Sequence, residues 1–157
     1  MNTFNFLTTH VGSVPYPSVS GLTDKLVSML DVPAWPQLPR RSFRESMYVQ
    51  YSPTLPCVEV DEEKEKIIVS THGDMTSALE AFYDPYLADD VDAYALQPQY
   101  AEGFFAMLDS LRNTKGDWAK GQVTGPISFG LTVTDQDLRA SLYNEMYADV
   151  IVKNMAM

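Results

Sequence analysis

Cysteine and histidine are scarce in this sequence, and their scarcity limits the chemistry that it can support. The chain of 157 residues has one cysteine, Cys57, and two histidines, His10 and His72. A lone cysteine cannot form an intrachain disulfide, which fits a reducing compartment, and we interpret Cys57 as a small buried hydrophobic residue. These side chains do not complete a plausible zinc-binding set, so we assign no metal ligand.

Positive charge and long apolar runs are also scarce. The sequence has 11 lysines and arginines against 21 aspartates and glutamates, for a net charge of -10. This balance argues against a nucleic-acid partner, because binding to a phosphate backbone depends on lysine and arginine displacing counterions. No apolar run is long enough to cross a bilayer, and the first residues lack the pattern of a secretory signal. We therefore predict a cytoplasmic protein with no nucleic-acid or membrane partner.

Apolar residues make up 45% of the sequence, which is enough for a packed core. Neither an internal repeat nor a flexible linker is present, so we predict a single domain over residues 1–157. Hydrophobic spacing and turn signals predict strands at 4–11, 93–96 and 118–123, and helices at about 18–30, 42–51, 74–86, 98–111 and 134–151. We expect Ser18 or Ser20 to cap the first of these helices and Asp74 to cap the third.

Residues 57–60 and 66–70 predict a β-hairpin around the acidic stretch 61–65. The hairpin is an excursion, because the other elements form strand-then-helix units, which favour a parallel sheet covered by helices. Active groups in such architectures gather on loops at the carboxyl ends of the strands. This rule selects residues 9–13, Gln97 with its neighbours, and residues 122–125.

These loops allow two interpretations. Gly12 and Gly125 serve either the backbone dihedrals of a turn or the close approach of a ligand to backbone N–H groups. In the second case Ser13 and Thr124 add hydroxyls to the site. We expect His10 to orient a substrate through hydrogen bonds, because it stands at a predicted strand end.

A basic cluster stands out against the acidic background. Arg40, Arg41 and Arg44 either hold an anionic group of a small ligand or are solvated surface side chains. No phosphate-binding loop and no GxGxxG, GxSxG or CxxC motif accompanies them. Motifs with a known mechanism therefore assign no reaction.

Three stretches together resemble a known superfamily. Residues 8–15, TTHVGSVP, resemble the TTxxGSxP opening of the catalytic domain in cobalamin-independent methionine synthase. Residues 33–41, PAWPQLPRR, and 121–126, GQVTGP, resemble the methionine-synthase-like branch of the uroporphyrinogen decarboxylase superfamily. The likeness spans almost the whole chain, in the same order as in the family.

The resemblance implies the N-terminal half of a (β/α)8 TIM barrel and methyl transfer from a folate or corrinoid donor to a zinc-activated thiol. In methionine synthase the GS turn holds the amino-acid thiol, a role that would fall on Val11, Gly12 and Ser13. The family's zinc ligands lie in the second half of its barrel and have no counterparts in this sequence. We therefore expect no cofactor bound by this chain alone, and zinc only in the full-length family enzyme.

Length agrees with a partial barrel, because a complete one takes about 250 residues and this chain has 157. Open sheet edges favour self-association, so we expect a homo-oligomer, or pairing with a missing C-terminal half, and no activity in isolation. We predict that a small thiol or carboxylate substrate is bound by His10, Val11, Gly12, Ser13, Arg40, Arg41, Gln122 and Thr124.

Two alternatives remain at this point. The first is a uroporphyrinogen-decarboxylase-like enzyme for a polycarboxylate, in which Arg40 or Arg41 would hold substrate carboxylates. The second is a non-catalytic half-barrel that serves as a binding or assembly module.

Overall fold

The computed structural model describes residues 6–114 and 116–157. Its α-helices are α1 Leu22–Met29, α2 Thr76–Leu87, α3 Glu102–Arg112, α4 Pro126–Thr132 and α5 Glu145–Ala156, and its strands are β1 Val58–Asp61, β2 Lys66–Val69 and β3 Thr134–Asp135. The chain forms two compact units, the first from residues up to 46 with 98–122, the second from 47–97 with 123–157. A single domain over 1–157 stays a prediction.

Across the described ranges, every helix is too short or too polar to cross a bilayer.

The first unit packs α1 against α3. The predicted helix is confirmed, but its cap is Gly21, which adopts the left-handed conformation with φ 66°, and not Ser18 or Ser20. Ser18 instead accepts a hydrogen bond from the backbone N–H of Ser20 at 3.1 Å and shapes the turn before the helix. Beside the two helices, extended segments touch through isolated parallel bridges, which pair Thr9 with Val32, Ser13 with Gln37, and Ala34 with Lys120.

The second unit is built around a three-stranded sheet with the order β1-β2-β3. Strands β1 and β2 form the predicted antiparallel hairpin, with Val58 opposite Val69 and Asp61 opposite Lys66. Strand β3 adds to β2 in parallel over two residues. Helices α2, α4 and α5 complete the core with the buried side chains Leu55, Val69, Met75, Phe82, Phe129, Val133, Tyr147, Val150 and Ile151.

The predicted partial (β/α)8 TIM barrel is wrong. The sheet of the described residues is small and mixed, and its hairpin strands, which we had interpreted as an excursion, are its main members. The parallel pairing in the first unit stops at single bridges. Pro33 and Pro36 interrupt its middle segment, and a proline has no backbone N–H to donate to a ladder.

Other strand predictions are also wrong. Residues 93–96 overlap a 3-10 turn at Val91–Tyr94, in which the Tyr94 hydroxyl donates to the Phe82 carbonyl at 2.6 Å. Residues 118–123 pair only at Lys120, whose N–H donates to the Pro33 carbonyl at 2.8 Å. Of the predicted strand 4–11, residues 4 and 5 lie outside the described residues, and 6–11 pair only at Thr9.

Some helices begin at other residues than the hydrophobic spacing predicted, because local polar groups set where they start. The N-cap of α2 is Met75 and not the expected Asp74, although Asp74 accepts a hydrogen bond from the Thr76 N–H at 2.8 Å. Helix α2 continues past Pro85. Helix α5 begins later than predicted, because Asn144 caps it by accepting from the Tyr147 N–H at 3.1 Å. Residues 42–51 form two 3-10 turns, Phe43–Glu45 and Val49–Tyr51, in place of one helix.

Candidate functional site

The loop at residues 10–13, within the family-like stretch 8–15, lies in the first unit beside the extended residue Gln37. The Gln37 N–H donates to the Gly12 carbonyl at 3.1 Å, and the Val14 N–H donates to the Gln37 carbonyl at 3.0 Å. Both main-chain groups of Gln37 are therefore used to hold this loop, so its backbone position is fixed from one side.

The side chain of Gln37 holds the loop from within. It is buried, and its Oε1 lies 3.2 Å from the Ser13 hydroxyl and 3.3 Å from the Gln122 side-chain nitrogen. An amide oxygen has two lone pairs, so Ser13 and Gln122 can both donate to it. Gln37 thus brings together two residues that the sequence placed in the site, and the exposed Ser13 hydroxyl can still accept a hydrogen bond from a ligand.

Gly12 is required by two features of this loop. Its φ of 149° is one that side-chain-bearing residues rarely adopt, and a Cβ built there would lie 1.7 Å from the Gln122 side-chain nitrogen. The close approach that the sequence suggested therefore exists, but it is made by the chain's own amide. Gln122 covers the Gly12 backbone, so a ligand at this loop would meet Ser13 and the exposed Val11 side chain.

His10 and Lys120 form the second part of the site. The Lys120 ammonium donates to the carbonyls of His10 and Val11, the latter at 3.2 Å. Both ring nitrogens of His10 are buried and have no hydrogen-bond partner among the described residues. Burial, and then the positive charge of Lys120, hold the pKa of His10 below 6.5. The imidazole is therefore neutral at pH 7 and has one donor and one acceptor nitrogen.

The two arginines predicted to bind a substrate have different surroundings. Arg40 is exposed. Arg41 forms ion pairs with the fully buried Glu45 at 2.6 Å and with Glu102 at 2.7 Å. Its Nε–H also donates to Glu45 at 2.7 Å, so carboxylates of the chain itself already bind most of this guanidinium.

Thr124 lies in the second unit, whereas the other predicted site residues lie in the first. Its side chain is buried, and its hydroxyl donates to the Met47 carbonyl at 2.5 Å. This hydroxyl holds the chain at Met47, and the residues that the structure gathers around the loop are His10, Val11, Gly12, Ser13 and Gln122.

Sequence reasoning missed Gln37 and Lys120 as site residues. Gln37 stands in the family-like stretch 33–41, where the arginines drew attention because they are charged. Lys120 lies inside the predicted strand 118–123, for which we predicted no site residue before Gln122. A buried amide and a lysine that binds carbonyls leave no local sequence pattern, because their partners are 24 and 110 positions away in the chain.

The residues present do not fit the zinc ion that the resemblance implies for the family. Over residues 6–114 and 116–157, no three His, Cys, Asp or Glu side chains come together in a group that could hold a metal ion. The neutral His10 stands next to an ammonium group, which disfavours a cation there. We therefore derive no step through zinc from this chain.

Comparison of the chain with models of protein families, with curated proteins and with solved structures gives no match. The resemblance to that superfamily therefore depends on the three stretches at 8–15, 33–41 and 121–126 alone, and any activity taken from it is a proposal.

Proposed function

We propose that the chain binds the amino-acid thiol substrate of a methyltransferase of the cobalamin-independent methionine synthase type at the loop of residues 10–13. The methyl group would come from a folate or corrinoid donor, as the resemblance implies. Support comes from the likeness of residues 8–15 to the opening of that catalytic domain. In that family the same turn holds the thiol substrate.

One observation carries the proposal: the three family-like stretches meet at the side chain of Gln37. Ser13 belongs to the first stretch, Gln37 to the second and Gln122 to the third, and the two hydrogen bonds to Gln37 join them. These three residues are far apart in the sequence but contact one buried amide. Their convergence supports a common binding site better than any of the short motifs does alone.

The loop offers partners for two charged groups of an amino-acid thiol. The Ser13 hydroxyl can accept a hydrogen bond from the substrate ammonium. The Lys120 ammonium has three donors, of which the carbonyls of His10 and Val11 occupy two, so one donor and its charge favour a carboxylate or a thiolate.

A decarboxylase-like function for a polycarboxylate has less support. Such a substrate needs arginines that are available for its carboxylates, and Arg41 is bound by Glu45 and Glu102. Arg40 is the exposed member of the pair. A single exposed arginine is a weak basis for selective binding of several carboxylates.

Calorimetric titration of the chain with homocysteine, methionine and citrate would test the proposal. We expect homocysteine to bind more tightly than methionine, because only its sulfur carries a proton or a negative charge. We expect Ser13→Ala to weaken homocysteine binding about five-fold, the equivalent of one hydrogen bond of about 1 kcal/mol.

The matched control is Ser28→Ala, an exposed serine on α1 whose hydroxyl binds the Lys25 carbonyl at 2.9 Å. It should leave homocysteine binding unchanged. Tighter binding of citrate than of homocysteine would contradict the proposal and favour the polycarboxylate alternative. Equal affinities of Ser13→Ala and the parent chain would also contradict it.

A further inference from the structure

The first unit contains a cavity of about 160 Å³ that does not include the loop at 10–13. It opens between α3 and the segments around residues 33–35 and 119–121, and its lining includes Trp35, Phe104, Met107, Leu108, Leu111 and Lys120. Most of these side chains are apolar. None of the substrate-binding residues predicted from the sequence lines it.

The size and walls of this cavity suit one aromatic ring. An apolar cavity of roughly 150 Å³ is large enough to bind benzene. Trp35 and Phe104 meet edge to face with ring centroids 5.1 Å apart, and the buried Met107 adds a thioether to the lining. Aromatic edges and a thioether sulfur both make favourable contacts with an aromatic ring.

Trp35 and Lys120 both line the cavity, and each carries a donor group without a full set of acceptors. The indole Nε1–H of Trp35 is buried and has no partner among the described residues. Leaving such a donor unpaired costs free energy, which a ligand acceptor would recover. Lys120 keeps one donor after binding the carbonyls of His10 and Val11. A carboxylate, with two oxygens and a negative charge, matches one neutral donor and one cation.

We propose that this cavity is a binding site for an aromatic carboxylate with a single six-membered ring. The ring occupies the space between Trp35, Phe104 and Met107, and the carboxylate accepts from the Trp35 indole and from Lys120. This site shares Lys120 with the thiol-binding loop but uses no other residue of that loop, and it does not depend on the methyltransferase proposal.

Titration with benzoate, followed through the indole N–H signals in nitrogen–proton correlation spectra, would test the site without altering the cavity. The sequence has two tryptophans, and Trp118→Phe identifies the signal of Trp35. We expect benzoate to bind with a Kd of about 1 mM, as a ligand of its size allows, and to shift the Trp35 signal downfield. A Trp35 signal that stays in place at saturating benzoate would overturn the proposal.

Variants then locate the ring and the charge. Ala119→Phe places a ring at the exposed opening of the cavity and should weaken benzoate binding at least ten-fold, while Ala81→Phe, the same change at an exposed position of α2, should leave it unchanged. Lys120→Met should weaken benzoate ten-fold but leave neutral benzyl alcohol unaffected. Equal benzoate affinity in Ala119→Phe, or equal binding of benzyl alcohol and benzoate to the parent chain, would also overturn the proposal.

Homocysteine binding separates this site from the loop. Because Ala119 has no part in the loop, Ala119→Phe should weaken benzoate binding at least ten-fold and leave any homocysteine binding as it is. Benzoate binding without homocysteine binding would contradict only the proposed function. Homocysteine binding without benzoate binding would contradict only the aromatic site.

Discussion

The two units of this chain differ in how many apolar side chains they bury. In the second unit, nine buried hydrophobic residues form one continuous cluster around Phe129, Tyr147 and Ile151. In the first unit, the buried apolar side chains are fewer and smaller, among them Leu22, Ala34, Leu38, Ala101 and Met107. Gln37 and Glu45 are buried beside them and are bound by hydrogen bonds and an ion pair.

The buried polar side chains of the first unit bear on its suitability as a binding site. A polar group inside an apolar core costs free energy unless it has a hydrogen-bond partner there. Buried amides and carboxylates fix their neighbours in direction as well as in distance, which is what a binding site needs. Amides are also buried in the second unit, at Gln50 and Asn154, so the contacts that Gln37 makes with Ser13 and Gln122, and not the smaller apolar core, place the candidate site in the first unit.

The largest expected effect comes from breaking the apolar core of the second unit. Phe129→Ala removes a fully buried ring and should lower the free energy of unfolding by about 4 kcal/mol, as measured by urea denaturation. Hydrogen exchange should rise mainly in residues 47–97 and 123–157. Leu131→Ala, half-exposed on the same helix, is the control and should cost below about 1 kcal/mol. Comparable losses in the two variants would show that α4 does not bury Phe129 as described.

A smaller effect should follow from breaking the buried ion pair of the first unit. Arg41→Met leaves the carboxylate of Glu45 buried without its cation and should lower the free energy of unfolding by about 3 kcal/mol. Adding Glu45→Gln removes the charge but keeps an acceptor for the Leu38 N–H, which Glu45 binds at 3.1 Å, so part of the loss should return.

Arg40→Met is the control for this experiment, because Arg40 is exposed next to Arg41, and it should change the unfolding free energy by no more than about 0.5 kcal/mol. If Arg40→Met and Arg41→Met were equally destabilising, the distinction between a solvated and a buried-pair arginine would fail.

The smallest effect concerns the dependence of stability on pH in the first unit. The pKa of His10 in the folded chain is lowered from 6.5, so the unfolded chain binds this proton more readily. Stability should therefore fall as the pH drops through 6.5 toward the folded-state pKa, and level off below it. Melting temperatures of His10→Asn should lack this fall, which His72→Asn should retain. An identical pH profile in His10→Asn and the parent chain would contradict a buried, neutral imidazole.

Elements with a strong local pattern could be predicted from the sequence. Helices α1, α2 and α3 and the hairpin follow from hydrophobic spacing and turn residues, and the structure confirms them. Helix α4 was missed, because Gly125 and Pro126 signalled the end of a strand. Proline also fits the first turn of a helix, which is its place in α4.

Long-range pairing could not be predicted in the same way. The sequence pattern of residues 118–123 suited a strand, but whether a strand forms depends on the partner segment, in which Pro33 and Pro36 lack donors. Within the site, Gly12 and Ser13 were found through their resemblance to a family motif. Gln37 was not, because an amide becomes informative only once its buried neighbours are known.

Lys120 links two parts of the first unit that are otherwise separate. Its ammonium binds the carbonyls of His10 and Val11, and its side chain borders the aromatic cavity. An anion in the cavity that attracts this ammonium would weaken its hydrogen bonds to the loop carbonyls. A ligand on the loop that binds the ammonium would likewise change the affinity of the cavity for an anion. Such coupling is reciprocal by thermodynamic necessity, so each ligand would change the affinity of the other by the same factor.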